Sequence, residues 1–127
     1  MMPASNPQES RKQKTGLSPA GRFWQYLYAA KRRKIEWDLS KEQVYLLFAG
    51  ICHYCGIQPS TVYKRSGCTQ TFLYNGIDRI DSSRGYLSDN VVSCCKACNF
   101  AKSEMTTGEF RTWVKRVADH MAFLGDV

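Results

Sequence analysis

Six cysteines include two Cys-x-x-Cys pairs, Cys52/Cys55 and Cys95/Cys98, with 39 residues between them. Two residues between paired cysteines let one tight turn aim both sulfurs at a single ion, and zinc takes four such ligands in a tetrahedron. The spacing therefore predicts a structural Zn²⁺ held by Cys52, Cys55, Cys95 and Cys98. Four thiolates leave no open coordination position, so this ion would stabilise the fold and do no chemistry. Cys94 is an alternative to Cys95, but its gap to Cys98 suits a knuckle less well. His53 lies inside the first knuckle and reads as a neighbour of the ion. Cys68 stands alone and reads as a buried or free thiol.

A second set of residues has different chemistry. Asp78, Asp81 and Asp89 lie in a basic chain, with Asn90 and Asn99 close by. Carboxylate and amide oxygens are what a hard divalent ion such as Mg²⁺ takes as ligands. Asp78 and Asn99 are of the right type to share one. The same residues also allow a structural reading, with Asp81 paired to Arg79, Asp89 in a turn, and Asn90 and Asn99 as caps.

Net charge is +7 and the isoelectric point about 9.2, so a polyanion is the natural partner. Lys31-Arg32-Arg33-Lys34 concentrates four cations. They suit a helix C-terminus and equally a phosphate surface. The first twenty residues are polar, with nothing resembling a signal peptide, and no apolar run would span a bilayer. With paired cysteines, this predicts a soluble protein of a reducing, intracellular compartment.

The elements that must position these residues can be read along the chain. Residues 1–21 lack periodicity and are predicted to be a disordered basic tail before a single domain over 22–127. Residues 22–33 read as a helix with Phe23, Trp24, Leu27, Tyr28 and Ala30 as its apolar stripe. Residues 35–39 are extended. Ser40 with Gln43 forms a capping box for a helix that uses Val44, Leu47, Phe48 and Ile51 and stops at Gly50. Gly56 lets the chain turn back after Cys55. Residues 57–72 are a hairpin or an inserted loop, with Thr61-Val62-Tyr63 as a weak strand. Phe72 to Asp81 reads as one strand, Ser82 to Gly85 as a turn, and Tyr86 to Ser93 as the returning segment. A helix begins near Asn99. Thr106 with Glu109 caps a last helix, whose Phe110, Trp113, Val114, Val117, Met121 and Leu124 are predicted to pack in the core. Gly125 ends it.

The run Cys52-His53-Tyr54-Cys55-Gly56, Ile77-Asp78-Arg79-Ile80-Asp81, Gly85-Tyr86, Asp89-Asn90-Val91-Val92 and Cys95-Lys96-Ala97-Cys98-Asn99-Phe100-Ala101-Lys102 resembles the HNH endonucleases, the ββα-metal nucleases. It is most similar to small phage and bacterial members with a zinc-binding cysteine quartet. The resemblance implies an α+β fold: a zinc-stapled, treble-clef-like ββα-metal core over 52–102, flanked by helices in 22–50 and 106–124. It implies metal-dependent hydrolysis of DNA phosphodiester bonds with Mg²⁺ or Mn²⁺, in the cytoplasm of a bacterial or phage-infected cell. Asp78 and Asn99 would be the metal ligands. Asn90 would hold the loop between the strands. Lys102 would face phosphate, with Lys31, Arg32, Arg33, Lys34 and Arg84 as further DNA contacts.

Arg79 stands where the family places a histidine base. Arginine keeps its proton, so another group must serve. A metal-bound water ionising with little help, Asp81 as base, and Arg79 as a stabiliser of phosphate charge are the substitutes, with His53 more remote. Strand alternation puts Asp78 and Arg79 on opposite faces and Asp81 on Arg79's face. Two other functions fit the residues: a zinc module that binds nucleic acid without cutting it, and a structural zinc protein with a protein partner. Nothing in the sequence sets an oligomeric state.

Overall fold

The computed structural model describes residues 17–125, and residues 1–16 of the expected tail lie outside them. Leu17, assigned to that tail, is buried and donates its backbone N–H to the Thr71 carbonyl at 3.3 Å. The first helix, α1 (Ala20–Arg32), buries Phe23 and Ala30, with Tyr26 and Leu27 packed beside them. The expected stripe is therefore rotated. Residues 23, 26, 27 and 30 share one face at 3.6 residues per turn. Trp24 and Tyr28 turn outward and stack on each other, with ring centroids 5.6 Å apart.

After a turn at Lys34, strand β1 (Trp37–Asp38) leads into α2 (Lys41–Ala49). The Ser40–Gln43 capping box forms, and Val44 and Phe48 are the buried positions of α2. Strands β2 (Thr61–Lys64) and β3 (Thr71–Tyr74) make an antiparallel hairpin, so the ambiguous 57–72 segment is a hairpin.

The single strand expected over Phe72–Asp81 is two strands. Asn75 breaks it. This fully buried residue donates its backbone N–H to the Phe48 carbonyl at 2.9 Å, and its side-chain amide to the carbonyls of Gly50 and Ile57 at 2.9 and 3.2 Å. Its N–H donors thus serve the end of α2 and the chain beyond the first knuckle, and the ladder cannot continue through it. Strand β4 (Gly76–Arg79) takes a new antiparallel partner, β6 (Val91–Cys94), in the register Gly76↔Cys94 and Arg79↔Val91. Between them, β5 (Tyr86–Leu87) pairs in parallel with β1. Gly85 permits this approach, because a Cβ there would lie 2.5 Å from the Glu36 carbonyl oxygen.

Helix α3 (Lys96–Lys102) begins earlier than Asn99 because Cys95 is its N-cap, the sulfur accepting from the Cys98 N–H at 3.4 Å. Strands β4 and β6 with α3 form a ββα unit. It rests on a core of Phe23, Ala30, Leu39, Val44, Phe48, Tyr74, Ile77 and Tyr86. The last helix, α4 (Thr107–Leu124), has its Thr106–Glu109 capping box and ends at Gly125. Its apolar stripe, however, is not core. Phe110 is buried, and every residue from Arg111 to Leu124 is exposed. Helical spacing gave the stripe correctly, but spacing does not say that a partner surface lies opposite it. Among the described residues no helix is long and apolar enough to cross a membrane.

Candidate metal centre and active site

The four cysteine sulfurs of the two knuckles lie within 4.8 Å of one another. Zn–S bonds of about 2.3 Å at tetrahedral angles set sulfurs roughly 3.8 Å apart, and Cys55 Sγ and Cys95 Sγ are 3.8 Å apart. The donor set therefore fits zinc. The local backbone favours the thiolate at Cys52, whereas burial, with neighbouring sulfurs, holds the Cys95 and Cys98 thiols above their usual range. Tyr54 N–H and Cys98 N–H donate to Cys52 Sγ and Cys95 Sγ at 3.4 Å. Gly56, at φ 80, turns the chain back so that its N–H reaches the Cys52 carbonyl at 2.9 Å. Burial pushes the Cys52 thiol up, but N–H groups of Cys95, Cys55 and Tyr54 outweigh it and bring it to about 6. Cys94 is outside this cluster. Its side chain points into the protein, where burial, with Asp78 nearby, holds its thiol far above the usual range. Cys68 is exposed.

Beside the ββα unit lies a cavity of about 750 Å³ whose walls include Asp78, Arg79, Asn99, Glu104, Arg22, Arg33 and Tyr86. Asp78 comes from β4 and Asn99 from α3, and both line this cavity. Arg79 shares the cavity in spite of strand alternation, because β4 ends there. Lys34, Arg79 and Arg84 line an adjoining depression. Arg33 and Lys34 from the basic run thus lie at the rim, and Arg22, an unsuspected cation, joins them. Lys31 and Arg32 are exposed on α1 outside the cavity wall.

Asp78 itself is nearly buried, and its Oδ2 accepts from the Tyr54 hydroxyl at 2.7 Å. Lys102 Nζ lies 3.2 Å from the same oxygen and donates to the Arg79 carbonyl at 3.2 Å. Lys102 is completely buried, which corrects the expectation that it faces phosphate. The phase of the short helix α3 sends its side chain under β4 and away from solvent. The Asp78 Oδ1 atom has no hydrogen-bond donor among the described residues, which leaves it available to an ion. Burial, with the Asp78 carboxylate beside it, keeps the Tyr54 phenol protonated and donating.

The remaining residues organise the loop after β4. Arg79 donates through Nη1 to the carbonyls of Ser82 and Arg84, both at 2.8 Å, and its guanidinium lies 5.3 Å from the Tyr86 ring centre. Asp81 is not on the cavity wall. Its Oδ1 accepts from the Ser83 N–H and hydroxyl at 2.9 and 2.6 Å, and these bonds hold its carboxyl below the usual range. That makes it a turn residue and a weaker base. Arg84 is paired with Asp89 at 3.0 Å. His53 packs edge-on against Tyr54 and is likewise off the cavity wall.

Asn90 is buried. Its Oδ1 accepts the Asp81 N–H at 3.0 Å, and its amide donates to the carbonyls of Asp81 and Gly85 at 3.1 and 2.9 Å. Replacing it with alanine leaves those buried groups unsatisfied and should cost about 3 kcal/mol, read as a lower denaturant midpoint at unchanged slope.

The sequence reading did not single out Arg22, Tyr26 or Glu104. Arg22 donates to the Tyr74 hydroxyl at 2.8 Å and lies 4.6 Å from the Tyr26 ring centre. Only tertiary packing could reveal that α1 forms a cavity wall. Glu104 carried a fainter signal, an acidic residue five positions after Asn99 and just beyond its helix. Among the described wall residues, Glu104 and Asp78 are the carboxylates.

No family model matches the chain. It is 28% identical over 102 residues to an uncharacterized protein of Acanthamoeba polyphaga mimivirus, which covers 80% of this chain. The chain spans 17% of that relative's length. Among solved structures it is similar to the rare-cutting HNH restriction endonuclease PacI, with a TM-score of 0.55 and 24% identity over 82% of this chain and 80% of that one. The fold is thus the HNH-like α+β fold, with a cysteine cluster suited to a metal.

Proposed function

We infer that the protein is an HNH-type endonuclease that hydrolyses DNA phosphodiester bonds. The observation that supports this reading is that Asp78 and Asn99 line the same cavity as Arg22, Arg33 and Arg79, with Lys34 and Arg84 in the adjoining depression. The two oxygen donors suit Mg²⁺ or Mn²⁺, which when bound would supply Lewis-acid stabilisation of phosphate charge. The chain's own residues do the rest. Tyr54 and Lys102 fix Oδ2 of Asp78, so that Oδ1 is the oxygen presented. The rim cations bind the backbone without reading sequence. Arg79, unable to act as base, is held by two carbonyls so that its charge stays beside the cavity. Glu104 takes the proton from the attacking water, as the wall carboxylate with no ion pair among the described residues.

A plasmid-nicking assay with Mg²⁺ or Mn²⁺ tests this. Asp78→Ala and Asn99→Ala should each lower cleavage more than about 100-fold, the scale of losing one charge-stabilising contact. Glu104→Gln should lower it by about 10² or more with DNA binding retained. DNA binding without nicking in the unaltered protein would favour the second reading, a zinc module that binds nucleic acid without cutting. Arg79 in place of a basic histidine is the observation on that side.

A further inference from the structure

We propose that a second cavity, next to the candidate active site, holds a phosphate of the DNA backbone, the neighbour on the same strand of the one to be hydrolysed. For its choice of ligand the proposal rests on the nuclease reading. The cavity measures about 190 Å³, and its wall takes Arg22 from α1, Thr61 from β2, Tyr74 from β3 and Lys96 from α3. That is several times the ~30 Å³ that one water occupies in the liquid, which is room for a phosphate group. Arg22, Tyr26 and Asn99 line this cavity and the larger one alike, so guests in the two would be close neighbours.

The wall offers donors that lack acceptors. Arg22 lies over the rings of Tyr26 and Tyr74, 4.6 and 5.3 Å from their centres. Its Nε donates to the Tyr74 hydroxyl and its Nη1 to Gln25, each at 2.8 Å, and Nη2 has no acceptor among the described residues. Tyr74 is 7% exposed, and its hydroxyl, having accepted from Arg22, has no acceptor for its own proton among the described residues. The Tyr26 hydroxyl accepts the Ile77 N–H at 3.2 Å and is likewise left with its proton to place. Burial keeps that phenol protonated, in spite of Arg22 beside it. A buried donor without a partner is costly, so Tyr74 in particular calls for an acceptor here.

The charges select which acceptor. Lys96 forms no ion pair among the described residues, and none of the described lining residues is acidic. Two cations with the hydroxyls of Thr61, Tyr26 and Tyr74 suit an oxyanion better than a neutral guest. Phosphate oxygens accept from several directions at once. Along one strand of DNA the next phosphate follows after about 3.4 Å of helix axis, so it is the nearest further anion once a first phosphate sits by Asp78 and Asn99.

Fluorescence anisotropy with a short duplex tests this, on the full zinc-loaded chain without Mg²⁺ or Mn²⁺, across a salt series. Lys96→Met should weaken binding about 10-fold and flatten the slope of log affinity against log salt by about 0.9, one phosphate contact fewer. Thr61→Val and Tyr74→Phe remove a donor but no charge, so each should weaken binding about 3-fold at unchanged slope. Duplexes with 5′-hydroxyl ends should behave like 5′-phosphorylated ones. An unchanged slope in Lys96→Met overturns the proposal. So does an equal change in Lys115→Met, whose ammonium lies on α4 paired with Asp119 at 2.9 Å, since the effect would then be one of bulk charge. An effect of Lys96→Met confined to phosphorylated ends also overturns it, because the cavity would then take a terminal phosphate. No bond is cleaved in this measurement, so it is separate from the nicking assay. A chain that nicks plasmid yet keeps its slope in Lys96→Met loses this phosphate site and keeps the nuclease reading. A chain that never nicks but shows the slope change keeps the site and loses that reading.

Discussion

Chelating zinc is expected to unfold the protein. Closing a four-thiolate site contributes on the order of 10 kcal/mol of apparent free energy at neutral pH. A domain of this size has a total stability of about 5–15 kcal/mol. The main core holds eight buried side chains, and the knuckles form a second cluster with no aliphatic side chain of its own. Among the described residues the first knuckle is otherwise tied to the ββα unit by two hydrogen bonds, His53 N–H to the Ser93 carbonyl at 2.8 Å and Tyr54 hydroxyl to Asp78 at 2.7 Å, so the metal would be the main link between Cys52, Cys55 and the turn that begins α3. Loss of far-ultraviolet circular dichroism on titration with a strong chelator, reversed by added Zn²⁺, is the measurement. Cys55→Ser should reproduce the loss. Cys68→Ser, at an exposed thiol, should leave zinc binding and stability unchanged. Cys94→Ala separates the two adjacent cysteines: it should keep zinc and lose only about 1 kcal/mol of packing. If Cys94→Ala loses the metal and Cys95→Ala keeps it, the ligand assignment is wrong.

Removing the charge of Lys102 should be among the most damaging single changes outside the cysteines, matched by the loss of its partner Asp78. Its ammonium has no exposure at all and compensates a carboxylate that is 6% exposed. A buried pair adds little net stability when it is complete, because desolvation offsets attraction. Breaking it leaves one charge without compensation, at about 3–5 kcal/mol. Lys102→Met should therefore lower stability by that amount, read from the denaturant midpoint. Lys102→Met combined with Asp78→Asn should recover most of the loss, because no bare charge remains. A double variant no more stable than Lys102→Met would show that packing, not charge, is what the lysine supplies.

The local signals in the sequence were dependable. Both capping boxes formed at Ser40 and Thr106, because each is decided by atoms within four residues. The two knuckles were equally legible, as two-residue spacing specifies a turn. The losses came where a distant surface decides. Asn75 looked like a strand residue, yet carbonyls of Gly50 and Ile57 claim its amide. The resemblance implies a phosphate contact at Lys102, but Asp78 provides a buried counter-charge. The α4 stripe looked like core because periodicity reports amphipathicity and not what covers it. Oxygen chemistry alone leaves Asp78 and Asn99 open to structural roles, and the resemblance to the HNH endonucleases is what marks them, whereas Arg22 and Glu104 become visible only where α1 and the end of α3 close the cavity.

Tyr54 has a consequence beyond its own bond. Its backbone N–H belongs to the sulfur cluster and its hydroxyl to Asp78, so one residue links the cluster suited to a soft ion with the carboxylate to which the proposed function gives a hard one. Thermodynamic linkage makes such a bridge work in both directions by the same factor. If loading the thiolates sharpens the grip of the cavity on its own cation, then cation in the cavity must slow the escape of zinc. Phenylalanine at this position would uncouple the two affinities while leaving each site with all its ligands.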